Sequence, residues 1–89
     1  MNLYHNAKNN TFKIEIPTEL IHHFLEAINA HINFMVERLL EEYPTFTIST
    51  DIQSSIEKCE EEEIKEDLET ILPFEILAKK LQFALDNLP

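Results

Sequence analysis

Histidine, glutamate and cysteine are the side chains of this 89-residue chain best suited to chemistry, and their spacing limits what they can do. His22, His23 and Glu26 fall within one helical turn, and His31 follows further along. His22 and Glu26 stand four apart and His23 and Glu26 three apart, a spacing at which imidazole and carboxylate can converge on one ion. Adjacent histidines, however, point about 100° apart on a helix, and neither H-E-x-x-H nor a repeated E-x-x-H is present. We read them as helix-surface histidines and assign no metal. Cys59 sits beside Glu57 and Glu60, where negative charge disfavours a thiolate, so it reads as a small packing residue. Three serines, one cysteine and four histidines with no glycine do not assemble into nucleophile, base and oxyanion loop. The chain reads as non-enzymatic and without a cofactor.

Acid is the strongest compositional signal. Glu60 to Glu63 run together and continue into Glu66, Asp67 and Glu69. Residues 44–72 hold nine acids against Lys58 and Lys65, a balance of −7 within a chain whose net charge is −10. Residues 1–17 are slightly positive, with Lys8 and Lys13 against Glu15. One reading is a solvated helix face. The other is a surface steered onto a basic protein, with Glu61, Glu62, Glu66 and Glu69 as its contact residues.

Composition excludes several classes. Without glycine there is no Walker loop, no G-x-G-x-x-G turn, no nucleophile elbow and no EF-hand loop. An excess of acid argues against direct nucleic-acid binding through a basic face. No apolar run approaches the ~18 residues needed to span a bilayer, and Met1 to Asn10 lack the apolar stretch of a secretion signal. One cysteine cannot close an internal disulfide, which suits a cytoplasmic setting.

The elements that must carry these residues are punctuated by Pro17, Pro44, Pro73 and Pro89. In Thr11 to Ile16 apolar and polar residues alternate with the two-residue period of a strand, and Lys8-Asn9-Asn10 before it suits a hairpin turn. From residue 18 to 43 the period becomes helical. Ile21, Leu25, Ile28, Ile32, Met35 and Leu39 follow at alternating steps of four and three. A helix of that length, about 39 Å at 1.5 Å per residue, is too long for one small domain to cover. It therefore either breaks near Asn29–Asn33 or packs on a second copy, with Ile28, Ile32, Met35 and Leu39 as the oligomer interface.

Residues 45–50 read as an extended linker, with Thr50-x-x-Gln53 as a capping box for a helix beginning near Asp51. An acidic helix over 51–72 follows. Ile52, Ile56 and Cys59 share one face, and Ile64, Leu68 and Ile71 share another about 120° away, so this helix bends or serves two neighbours. Pro73 suits the first position of a last helix over 73–88. The predicted architecture is one small, mainly α domain: an N-terminal arm or hairpin over 1–17 and three helices, the first long and central.

Phe12-Lys13-Ile14-Glu15-Ile16-Pro17-Thr18-Glu19-Leu20 resembles the opening of ribbon-helix-helix repressors and antitoxins, where an alternating strand precedes Pro-x-Glu-Leu and a helix. That resemblance implies a dimeric regulator, but it covers nine residues and ends where the seam continues through Ile32 and Met35. Thr47 to Gln53 after a long helix resembles the second loop and third helix of histone-fold proteins. The leading expectation is an acidic protein-binding module, such as an inhibitor, immunity-type protein, antitoxin or adaptor, which masks a basic surface and forms a homo-oligomer. The alternative is an assembly subunit whose apolar stripe matters and whose acids keep it soluble.

Overall fold

The computed structural model describes residues 2–88. Its elements run β1 (Asn2–Asn6), β2 (Thr11–Glu15), α1 (Thr18–Glu42), α2 (Ile52–Lys58) and α3 (Glu62–Asp86). The mainly α architecture and N-terminal hairpin follow from the two periodicities above.

β1 and β2 pair antiparallel, with Leu3 opposite Ile14 and His5 opposite Phe12. The turn between them is built without glycine. Asn6 Oδ1 accepts from the backbone N–H of Lys8 (3.0 Å) and of Asn9 (3.3 Å), and Asn10 takes a left-handed φ of 52°. Asparagine tolerates both roles better than other side-chain-bearing residues. Among the described residues the hairpin packs on no helix, so Leu3, Phe12 and Ile14 stay exposed.

Two sequence expectations are corrected in the helices. The acidic helix does not run from 51 to 72, and the last helix does not begin at Pro73. Instead α2 stops at Lys58, Cys59 and Glu61 take extended backbone angles, and α3 runs unbroken through Pro73. The break divides the glutamate run, so that Glu62 and Glu63 enter the first turn of α3, where its positive dipole end favours acids. It also frees the Ile52 and Ile64 faces, 120° apart in one helix, to turn into the same core. Pro73 has no N–H for the Glu69 carbonyl, but its ring lies on the exposed side of α3.

With α3 also 25 residues long, α1 has an intramolecular partner of its own length. The two lie antiparallel: Leu39 shares a cluster with Ile64, Leu68 and Ile71, and Leu25 and Ile28 share another with Ala78. α1 therefore neither breaks at Asn29–Asn33 nor needs a second copy to cover its seam. Of the residues assigned to an oligomer interface, Ile28 and Leu39 are buried within the chain by the α1–α3 pairing, and Ile32 and Met35 are half-buried. Leu68, the most enclosed side chain, contributes about 2–3 kcal/mol by leaving water. The order also departs from ribbon-helix-helix proteins, since the alternating strand is the second of a hairpin and the helix after it is twice the length.

Candidate partner-binding surface

Three charged groups meet where α2 abuts α3. The cap of α2 is Asp51, not the anticipated Thr50 box: Asp51 Oδ1 accepts from Ser54 N–H at 2.8 Å. Glu75 reaches across from α3, taking the Ile52 N–H on Oε2 (2.8 Å) and the Gln53 N–H on Oε1 (3.4 Å). Lys79 Nζ then bridges Asp51 (3.1 Å) and Glu75 (3.4 Å). The Ser54 backbone N–H first, and the Lys79 ammonium and Ser54 hydroxyl after it, hold Asp51 down to about 2. Lys79 is raised, chiefly by its hydrogen bond to Asp51. Every donor here is engaged in anchoring a seven-residue helix, so this cluster is structural.

The residues singled out in the sequence scatter. His22, His23, Glu26 and His31 are all exposed, and the His31 ring meets Phe74 edge-on at 4.9 Å. Among the described residues no group of three His, Cys, Asp or Glu side chains is arranged to hold a metal ion. Cys59 is half-buried against the core, with Sγ 3.3 Å from the Glu61 carbonyl. Of the four glutamates assigned to partner binding, Glu61 lies in the connection before α3. Glu62, Glu66 and Glu69 form an exposed stripe on its outer side at steps of four and three.

A different acidic site arises from the antiparallel pairing. It brings the C-terminal end of α1 beside the first half of α3, and an open groove of about 480 Å³ lies between them. Met35, Leu39 and Ile71 supply its apolar lining, and Glu41, Glu42 and Asp67 surround it, with Arg38 and Thr70. Arg38 is held over the Phe34 ring at 5.7 Å and makes no ion pair within 4.0 Å among the described residues. Glu41 and Glu42 occupy the last turn of α1 with no basic residue, where the helix dipole disfavours acids. Tyr43 registers the result: desolvation first, and then Glu42, Asp67 and Glu63, push its phenol above the ordinary value.

Reading the sequence segment by segment missed this site, because Glu41 and Asp67 belong to different segments. The one available signal was a helix whose last turn holds two glutamates and no lysine or arginine, with Arg38 one turn earlier. Among the described residues no helix is long and apolar enough to cross a membrane. Compared with protein families, curated proteins and solved structures, the chain matches none.

Proposed function

We propose that this chain is a non-enzymatic, cytoplasmic protein-binding module that masks a basic surface on a protein partner, in the manner of a small inhibitor, immunity-type protein, antitoxin or adaptor. The observation that supports this reading is the acidic end of the molecule. Two helices bring Glu41, Glu42 and Asp67 around one groove with Arg38 as its one cation, against the dipole preference of α1, and Glu63 adds its charge near Tyr43. Placing like charges together costs stability, and a basic partner offsets that cost while gaining electrostatic steering. Glu61 in the connection before α3 and the Glu62, Glu66 and Glu69 stripe on α3 extend the same negative field.

The test is capture of partners by the full chain at low and at high salt. A single protein retained at low ionic strength and released at high salt is expected, with association slowed severalfold when Glu42→Gln and Asp67→Asn are combined. Replacing Glu61, Glu62, Glu66 and Glu69 by Gln should leave the fold intact and slow association by a similar factor at low salt. Retention independent of salt and of all these acids would sink the reading.

A second reading, self-assembly, is favoured by the hairpin. A two-stranded ribbon is marginal alone, and this one exposes Leu3, Phe12 and Ile14. Sedimentation of the parent and of Phe12→Ser separates the two: an assembly that dissociates in the variant supports self-assembly, and a monomer in both removes it.

A further inference from the structure

Building on the basic-partner reading above, we infer that the partner element seated on this chain is a cationic amphipathic helix, lying lengthwise in the open α1–α3 groove. α2 packs on the Glu75 side of α3, and among the described residues nothing covers the opposite side. There α1 presents Leu20, Phe24, Ala27, His31 and Phe34 at alternating steps of four and three. Facing them, α3 presents Phe74, Leu77 and Leu81 at steps of three and four. The His31–Phe74 ring contact shows that the two rows adjoin. Phe24, Phe74 and Leu81 are half-buried against Leu25, Ile28 and Ala78, while Phe34, Leu20 and Leu77 at the edges stay 54%, 45% and 39% exposed. Two parallel rows at this spacing are the walls into which a third helix sets its ridge.

Charge selects the occupant. Along the face the apolar rows run toward Glu41, Glu42 and Asp67, which surround the groove at the far end and outnumber its one cation, Arg38, three to one. A complementary helix therefore carries apolar residues along most of its length and lysine or arginine at one end. From Leu20 to Arg38 the face is about 27 Å long, enough for an ~18-residue helix. A second copy fits poorly. Matching like ends would crowd both sets of carboxylates together, and matching opposite ends would press them onto the apolar rows of Leu20 and Phe24.

The experiment uses the full chain, isotope-labelled, and two synthetic ~18-residue helical peptides with one leucine face. One carries lysines clustered in its last turn, and the other carries glutamates there. The lysine peptide should bind at least about tenfold more tightly at low salt, with backbone shifts concentrated at Phe34, Asp67, Phe74 and Leu77. Phe34→Ser and Leu77→Ser alter exposed positions, so the fold should persist while binding weakens about tenfold. Shifts confined to Glu62, Glu66 and Glu69 would overturn the groove and leave the basic-partner reading standing. Equal binding of the two peptides would overturn both. Absence of binding at millimolar peptide overturns the groove alone, since salt-dependent partner capture tests the broader reading separately. Dilution-dependent shifts on the same face without peptide would make a second copy the occupant and overturn the inference.

Discussion

Glu75 Oε2 accepts the backbone N–H of Ile52 at 2.8 Å, a bond across 23 residues that ties the start of α2 to the middle of α3. A helix of seven residues is too short to persist alone, so its survival depends on such anchors and on burying Ile52 and Ile56. Removing the carboxylate leaves two amide donors of α2 without their acceptor. Glu75→Ala should therefore cost about 1–2 kcal/mol, while Glu75→Gln, which keeps one acceptor, should cost less. Hydrogen exchange should locate the loss in residues 52–58, with the α1–α3 pair still protected.

The Asp51 cap sets an acid-sensitive contribution. Its folded value near 2 lies below the ordinary 3.8, so the native chain binds this proton less readily than the unfolded chain. The stability it adds is full above about pH 4 and fades as the pH falls toward 2. Urea midpoints of the parent and Asp51→Asn, followed across that window, should differ at neutral pH and converge at its acid end.

Tyr43 reports on the acidic end. Its phenol should ionise above the ordinary tyrosine value, and Glu42→Gln with Asp67→Asn should bring it back down. Because the native chain holds this proton more tightly than the unfolded chain, the associated stability is lost as the pH rises through tyrosine ionisation. Phenolate absorbance in a Tyr4→Phe background isolates Tyr43, since the chain has two tyrosines. An unchanged titration in the acid variants would disprove the coupling.

Pro73 interrupts the hydrogen-bond ladder of α3 from its exposed side, where no packing depends on the ring. Pro73→Ala restores a donor for the Glu69 carbonyl and should stabilise the fold by about 1–2 kcal/mol after the unfolded chain regains freedom. Leu68→Ala opens a cavity at the most enclosed position and should destabilise by about 3 kcal/mol. Thermal melts of both variants give the two signs.

The hairpin and the continuous helical stretch of α1 were legible in the sequence, because alternation and the four-three seam are properties of consecutive residues. The irregular connection after Pro44 was legible from that proline, although it opens with a turn in which the Phe46 N–H donates to the Tyr43 carbonyl (3.0 Å) rather than with extended chain. The ends of α2 and α3 were not. Pro73 carried a local signal to start a helix, and the glutamate run carried none to stop one. The reverse occurs because burying Ile64, Leu68 and Ile71 against α1 in one continuous helix outweighs a single absent hydrogen bond. The acidic groove lay further from view. Glu42 and Asp67 become neighbours only when α1 and α3 align antiparallel. Local periodicity declares which face of a helix is apolar, and only the tertiary pairing decides which face it meets and which charges are thereby brought together.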